Sequence, residues 1–225
     1  MISFILTLGL LLQPQPQKTQ QPPTSEPAAQ QPPAKPDPAA PGEELRKEWE
    51  YSLTVYAYRI RDDRDYLQPT FTADRDWLHL EARYNYEDHD TGSAWAGYNF
   101  SIGDKIKLEA TPMVGVVVGQ TAAVAPGLKA SLTWWKLELY TEYEYIVVPS
   151  DHEENFSYTW SELTIAPWEW LSVGLVVQRT KVYDTDFDSQ RGFLARVFIK
   201  SLEITFAYFN PTEDPVYVLG LGVSF

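Results

Sequence analysis

The chain has 225 residues, of which 44% are hydrophobic and 14% aromatic, and this length suits one large all-β domain. It contains no Cys, which excludes disulfides, thiolate metal sites, a cysteine nucleophile and lipid attachment at a lipobox Cys. Its net charge of −13 excludes nucleic acid as a partner, because phosphate binding requires a basic surface.

The amino-terminal segment, residues 1–12, is apolar and is interrupted only by Ser3, Thr7 and Gly9. It is too short to cross a bilayer as a helix. Its length and hydrophobicity predict the apolar core of an export signal, although no Lys or Arg precedes it.

Residues 13–48 consist mostly of Pro, Gln and Ala with scattered charges, and Gln-Gln-Pro-Pro occurs at 20–23 and again at 30–33. Such a segment buries too little apolar area to offset the entropy of ordering it. The composition predicts a disordered linker with polyproline II character. We interpret it as a periplasmic spacer, and a tether to the cell wall or to a partner protein is the alternative.

From Trp49 onward, residues 49–225 show no helical period and instead alternate between apolar and polar side chains. This period of two predicts β-strands with different environments on their two faces. The predicted strands are Tyr51–Ile60, Tyr66–Ala73, Trp77–Glu87, Ser93–Ile102, Ile106–Gly119, Gly127–Trp134, Leu137–Val147, Ser157–Ala166, Leu171–Thr180, Gly192–Lys200, Leu202–Phe209 and Val216–Phe225.

The links between these strands alternate in length. The tight turns are at 74–76, 103–105, 135–136, 167–170 and 200–201, and the longer polar links are at 61–65, 88–92, 120–126, 148–156, 181–191 and 210–215. Alternation with an even strand number is typical of an up-and-down bacterial barrel, with short turns in the periplasm and long loops outside. Both ends of the barrel sequence are then expected on the periplasmic side.

The last predicted strand carries a large apolar side chain at every second position, and small residues such as Gly220 and Gly222 lie between them. The apolar series is Tyr217, Leu219, Leu221, Val223 and Phe225. This ending resembles the closing strand of bacterial outer-membrane β-barrels, including porins. The resemblance implies a location in the cell outer membrane and recognition of the final Phe by the barrel-assembly machinery. With about eleven earlier predicted strands and links that alternate in length, this strand is also expected to pair with Tyr51–Ile60, with the side chains of Tyr56 and Tyr58 filling the space beside the small residues.

Alternation alone does not decide whether the apolar face points into a core or out into lipid, and a soluble sandwich would bury it. Aromatic residues at both ends of the strands favour lipid, because their amphipathic rings form girdles at membrane interfaces. The two predicted girdles are Trp77, Trp134, Trp135, Trp168 and Trp170 at the tight-turn end, and Tyr84, Tyr86, Tyr143, Tyr145 and Tyr208 at the other. The predicted fold is therefore all-β: a closed antiparallel up-and-down transmembrane barrel of about 12 strands, preceded by the Pro-rich tail.

The opposite face is then expected to line the lumen, and it carries many charges. These are Glu81, Arg83, Lys107, Glu109, Lys129, Glu138, Glu142, Glu144, Glu162, Arg196, Lys200 and Glu203. Buried charges must be paired or hydrated, so they either interlock and close the barrel or line an aqueous channel. A strand number of about twelve is compatible with both. Because seven of these residues are acidic and five basic, we expect a weak preference for cations.

Three His residues and one Asp series are the candidates for other chemistry. His79 is expected in the lumen without a Ser at a matching spacing, and His89 and His152 lie beside carboxylates in the long links. Asp184, Asp186 and Asp188 offer oxygen ligands for a cation, but the Gly and Glu of an EF-hand are missing. The sequence has no dinucleotide fingerprint, phosphate-binding Gly loop or zinc spacing, and no cofactor is expected.

These observations predict a passive porin-like channel or a structural barrel in the outer membrane. The alternatives are an outer-membrane enzyme that uses loop carboxylates with His89 or His152, and a surface receptor or adhesin with acidic loops. The expected partners are outer-membrane lipid and lipopolysaccharide, the latter reached through divalent cations bound to the acidic loops.

Overall fold

The structure, a computed structural model, describes residues 48–60, 64–182, 188–212 and 214–225. The predicted signal segment, residues 1–12, lies outside these ranges, as does the predicted linker at 13–48 except for Glu48. All described secondary structure is β-sheet apart from a single 3-10 turn at His152–Glu154. No helix in the described ranges has the length and hydrophobicity needed to cross a membrane.

The strands form one antiparallel sheet, and each pairs with its neighbours in sequence. Their bounds are β1 (Glu50–Ile60), β2 (Tyr66–Arg75), β3 (Leu78–Tyr84), β4 (Thr91–Tyr98), β5 (Phe100–Ile102), β6 (Ile106–Gly119), β7 (Ala123–Trp134), β8 (Leu137–Ile146), β9 (Phe156–Trp168), β10 (Leu171–Val182), β11 (Asp188–Ile199), β12 (Leu202–Phe209) and β13 (Val216–Ser224). The segments β4 and β5 are parts of one crossing that is interrupted at Asn99, and both pair with β6. The barrel wall is therefore crossed twelve times, which confirms the predicted strand number.

The sheet closes on itself where the last strand meets the first. β13 pairs with β1 from Ser52 opposite Ser224 to Ile60 opposite Val216. Beyond β13, Tyr51 and Phe225 exchange two backbone hydrogen bonds of 3.0 and 2.9 Å. This pairing confirms the predicted seam, and the described strands leave no free edge.

Short and long links lie at opposite ends of the barrel, as the sequence predicts. The two-residue turns include Asp76, Trp135 and Lys200, each with a positive φ of 54–58°. Left-handed backbone of this kind is what tight hairpins require. The longer links occupy the other end, and the termini Glu50 and Phe225 lie at the short-turn end.

The two faces of the wall have inverted polarity compared with a soluble protein. On β13, Leu219 and Leu221 are half exposed on the outside, whereas Val216 and Val218 point inward and are buried. On β8, Leu139 is exposed while Glu142 and Glu144 on the inner side are 2% and 0% exposed. A wall that is apolar outside and charged inside is stable only with hydrocarbon around it, as in a transmembrane barrel.

At the seam between β1 and β13, a large side chain packs over a small residue. The ring of Tyr56 lies over Gly220, where an added Cβ would be 2.4 Å from the Tyr56 Cε1 atom. Tyr56 and its neighbour Tyr58 are buried inside the barrel. Gly220 thus provides the space that the Tyr56 ring occupies, in agreement with the sequence prediction.

We expect the change Gly220→Ala to destabilise the barrel by about 1–3 kcal/mol, because the new methyl group overpacks the Tyr56 ring. The matched control is Gly222→Ala, whose Cβ would come no closer than 3.2 Å to its nearest neighbour, the Thr54 hydroxyl oxygen, and 3.5 Å to the Glu203 Cβ. Urea unfolding of both variants in phospholipid vesicles measures the difference. Equal stabilities of the two variants would contradict this account of the seam.

Candidate functional site

The centre of the barrel interior is occupied by one arginine, Arg83 on β3, whose side chain has no solvent exposure. Its Nε donates a hydrogen bond of 2.8 Å to Glu81 Oε1, and its Nη2 lies 2.9 Å from Glu142 Oε1. Its Nη1 contacts Glu144 and lies 3.6 Å from Glu87 Oε1. One guanidinium group therefore faces four carboxylates, which is the pairing that a buried cation requires.

These contacts cross the lumen. Glu142 and Glu144 are on β8, and β4, β6 and β7 lie between β8 and β3 on the shorter way around the wall. β3 and β8 are not hydrogen-bonded to each other through their backbones, so the ion pairs of Arg83 cross the interior of the barrel.

Aromatic rings complete the enclosure of Arg83. The guanidinium carbon lies 4.1 Å from the centroid of the Tyr86 ring and 4.7 Å from that of Trp95, within the range of cation–π attraction. The hydroxyls of Tyr86 and Tyr140 donate hydrogen bonds of 3.0 and 2.9 Å to the two oxygens of Glu142. Both oxygens of this buried carboxylate thus have neutral donors in addition to the cation.

A polar chain runs from Glu81 toward the short-turn end. Glu81 also contacts Lys129 Nζ, and its Oε2 lies 3.0 Å from His79 Nε2. His79 Nδ1 lies 2.8 Å from Asp74 Oδ1, which also accepts a hydrogen bond of 2.7 Å from the Asn99 amide. Arg83, Glu81, Glu87, Glu142, Glu144 and Lys129 are called the Arg83 cluster below.

A second, smaller group lies on the opposite wall. Arg196 on β11 donates from Nη2 to both oxygens of Glu162, at 2.7 and 2.6 Å, and its Nε lies 3.3 Å from Glu203 Oε1. Trp160 Nε1 donates a 2.6 Å hydrogen bond to Glu162. These partners lie on β9 and β12, on either side of Arg196, so this group holds one wall together.

The predicted lumen residues face the interior with one exception. Lys200 is exposed in the β11–β12 turn, where its left-handed backbone, with φ of 55°, ends the alternation, so its assignment to the lumen was wrong. Lys107 and Glu109 form a partly exposed ion pair of 2.8 Å near the short-turn mouth, and Glu138 accepts a hydrogen bond from Ser131. The structure brings together Glu81, Arg83, Lys129, Glu142 and Glu144 in one cluster and Glu162, Arg196 and Glu203 in the other.

The predicted aromatic girdles lie on the outer surface, again with one exception. Tyr86 was expected to face lipid, but β3 ends at Tyr84 and Asn85 has a left-handed φ of 54°, which turns Tyr86 inward onto Arg83. The exposed outer residues are Trp77, Trp134, Trp135, Trp168 and Trp170 at the short-turn end, with Tyr84, Tyr143 and Tyr145 toward the other, where Tyr208 is partly buried. The side chains of Tyr217, Leu219, Leu221, Val223 and Phe225 are also exposed on the outside.

Sequence reasoning missed two members of the central site. Glu87 continues the alternation of Glu81 and Arg83, and that alternation was a sufficient signal to include it among the lumen residues. Trp95 is buried against Gly115, whose added Cβ would lie 2.4 Å from the Trp95 ring. The sequence did not show that Trp95 points inward. Its neighbours Ala94 and Ala96 are small, and small residues do not identify the lipid-facing side of a strand.

The loop candidates do not assemble into a catalytic or metal site in the described residues. His89 is exposed and packs edge-on against Tyr66 at 4.7 Å, and His152 is exposed in the 3-10 turn. Asp184 and Asp186 lie outside the described residues, and Asp188 is the exposed first residue of β11. Within the described ranges no group of three His, Asp or Glu residues is arranged to hold a metal ion.

We expect Arg83→Met to destabilise the barrel by about 3–5 kcal/mol, because it leaves buried carboxylates without their cation. The control Lys107→Met removes a partly exposed ion pair and is expected to change stability by less than about 1 kcal/mol. The measurement is the free energy of unfolding in urea for the barrel refolded into lipid vesicles. Similar losses in the two variants would show that Arg83 does not hold the interior together.

No protein-family model matches the sequence, and a comparison with curated proteins found no match. The fold is similar to that of a solved structure named KdgM porin, with 12% identity, a TM-score of 0.59, and coverage of 77% of this chain and 99% of that one. The Acinetobacter baumannii outer membrane protein Omp33 aligns at 10% identity over 80% of this chain and 99% of its own, with a TM-score of 0.47. Pseudomonas aeruginosa OpdQ aligns at 10% identity over 75% and 59%, with a TM-score of 0.42. At 12% identity the similarity to the KdgM porin structure shows a shared fold alone, a closed antiparallel β-barrel.

Proposed function

We propose that this protein is a porin-like barrel of the bacterial outer membrane, acting as a passive channel with a narrow, charged lumen. Two findings support this function. The wall is apolar outside and charged inside, which fits a membrane-spanning barrel, and the fold is shared with the structure named KdgM porin. The export signal, the periplasmic linker and recognition by the assembly machinery belong to the same proposal.

The observation that carries the proposal is the Arg83 cluster, which joins β3 to β8 across the interior. A solute that passes along the barrel must pass between this cluster and the facing wall, so the cluster is the constriction. Inward residues of that wall, including Val176 and Phe209, are also inaccessible. Passage is therefore restricted to small ions unless the side chains rearrange.

Carboxylates outnumber basic groups on the inner face. The inward carboxylates in the described strands and links include Glu81, Glu87, Glu109, Glu138, Glu142, Glu144, Glu162 and Glu203, against Arg83, Lys107, Lys129 and Arg196. A ring of negative charge favours cations in a pore. The correction of Lys200 and the addition of Glu87 both strengthen the expected cation preference.

The close packing of the interior favours a second candidate, a structural barrel that conducts nothing. Trp160, Ile146 and Phe209 fill the lumen and have at most 2% exposure. Small barrels can be filled entirely by side chains. This candidate shares the outer-membrane location and the closed fold, and differs only in the absence of conductance.

The enzyme and receptor alternatives receive less support from the described residues. The hydrogen bonds of Asp88 are to the His89 backbone N–H and to the Thr121 hydroxyl, and Asp151 accepts a hydrogen bond from the Glu153 backbone. These are contacts of ordered surface links. We propose accordingly that the protein is not an enzyme.

In planar bilayers with a KCl gradient, we expect the wild-type barrel to show a small conductance with a reversal potential that favours K⁺. The double variant Glu142→Gln/Glu144→Gln is expected to lower the K⁺-to-Cl⁻ permeability ratio, because it removes two carboxylates at the constriction. The change Glu169→Gln, in the exposed β9–β10 turn, is the control and is expected to leave the ratio unchanged.

An anion preference of the wild type would contradict the predicted cation selectivity, and a permeability ratio that is identical in the double variant would contradict the assignment of the constriction to the Arg83 cluster. A wild-type barrel that is inserted but silent would replace the channel by the structural candidate.

A further inference from the structure

A groove of about 380 Å³ lies on the outer wall near the long-link end, between β2, β1, β13 and β12. Its floor is a row of outward side chains in register, in which Ala57 stands between Leu67 on β2 and Leu219 on β13. Phe206 on β12 is the next member of the row, opposite Leu219. The groove exists because the small Ala57 side chain interrupts a row of large ones.

Arg59 provides a positive charge at the edge of this groove that is nearer the long links. Arg59 is the next outward residue of β1 toward the long links, and its side chain is 81% exposed. Its one ion pair with a described residue is to Asp65, at the long distance of 4.0 Å, and Asp65 also lines the groove. Among the described residues, this long contact is the ion pair that Arg59 makes.

The depth of Arg59 in the membrane is marked by two tyrosines. Arg59 is in register with Tyr217, and Tyr217 is in register with Tyr208 and stacks on it at 4.9 Å. Outward Tyr side chains concentrate at the boundary between hydrocarbon and headgroups. Arg59 therefore lies at headgroup depth, while the Ala57 row lies one level deeper, in the hydrocarbon.

We propose that this groove is a specific binding site for a phosphorylated glycolipid of the outer leaflet, with one acyl chain on the Ala57 floor and a phosphate at Arg59. The inference rests on the proposed outer-membrane location, because the long links of such a barrel face the outside. Arg is suited to this role, since its planar guanidinium binds phosphate oxygens in a bidentate manner. Tyr217 and Asp65 line the same groove, and we expect their polar groups to bond sugar hydroxyls.

Lipids of every kind contact the outer wall of a transmembrane barrel. Specific binding at this site must therefore be distinguished from general lipid contact by two properties. Binding must depend on the phosphate, because Arg59 supplies the attraction. Binding must also depend on the space above Ala57, because a bulky residue there restores an unbroken row. Each property can be removed by one substitution without touching the barrel interior.

The test uses native mass spectrometry of the purified full chain with diphosphoryl lipid A, with the same lipid after phosphatase treatment, and with phosphatidylglycerol. We expect wild type to bind diphosphoryl lipid A at least about tenfold more tightly than either of the others. The dephosphorylated lipid lacks the phosphate that Arg59 binds, and phosphatidylglycerol, which has a phosphate, lacks the sugar hydroxyls. Arg59→Gln is expected to remove this preference, and Ala57→Leu to weaken lipid A binding to a similar degree. The control is Arg75→Gln, which changes an Arg at the opposite, short-turn end of the barrel, 5.7 Å from the Trp49 ring. This variant is expected to bind the three lipids as wild type does.

Equal binding of the three lipids by wild type would overturn the inference, and so would an unchanged preference in Arg59→Gln or a loss of preference in Arg75→Gln. Heat-modifiable gel mobility of each membrane-extracted sample is recorded first, because a closed transmembrane barrel resists detergent until it is boiled. A sample without this property contradicts the proposed membrane barrel itself. A heat-modifiable barrel without phosphate preference contradicts only the lipid site.

Discussion

The structure depends on the pairing of one buried cation. Arg83 has no access to solvent, and removal of a guanidinium from water is tolerated only when carboxylates and hydrogen bonds replace the water. The partners come from β3, from the β3–β4 link and from β8 across the lumen. The same contacts that satisfy Arg83 therefore tie distant parts of the wall together and occupy the space through which a solute would pass. Stability and permeability are coupled through this one group.

The rest of the interior is arranged by matching large side chains to small ones across the strands. Tyr56 lies over Gly220 at the seam, and Trp95 lies over Gly115 on the far side. Both rings then pack against polar or charged neighbours, Trp95 against Arg83 among them. The interior of this barrel is thus filled by aromatic rings and paired charges, while the aliphatic residues that usually fill a protein core are mostly on the outside, where lipid covers them.

The features that follow from alternation within a strand could be predicted from the sequence. Ile106–Gly119 and Leu202–Phe209 were predicted with the bounds that the structure has. The pairing of Val216–Phe225 with the first strand followed from the earlier strands, the alternating link lengths and the two aromatic girdles. The errors lie where alternation ends. Tyr86 and Lys200 follow or occupy left-handed backbone positions, and a pattern of period two cannot show such a reversal.

The sequence also could not predict which charged side chains contact each other across the lumen, for a different reason. Arg83 meets Glu144 because the stagger of the strands around the closed wall brings β3 and β8 to a common height. Stagger is a property of the whole cylinder, and no local pattern encodes it. The sequence could therefore identify the charged face but could not say which charges meet across the lumen.

The central claim is that the aliphatic face of the wall lies in hydrocarbon and the charged face lies inside. Because the chain has no Cys, single cysteines can be placed at Leu139 on the outer face and at Lys107 near the inner mouth. The decisive measurement is the rate at which a charged, water-soluble thiol reagent modifies each variant in lipid vesicles, with the reagent on both sides. The account predicts modification of Lys107→Cys and protection of Leu139→Cys until the barrel is unfolded by boiling in detergent. Rapid modification of Leu139→Cys in intact vesicles would contradict it.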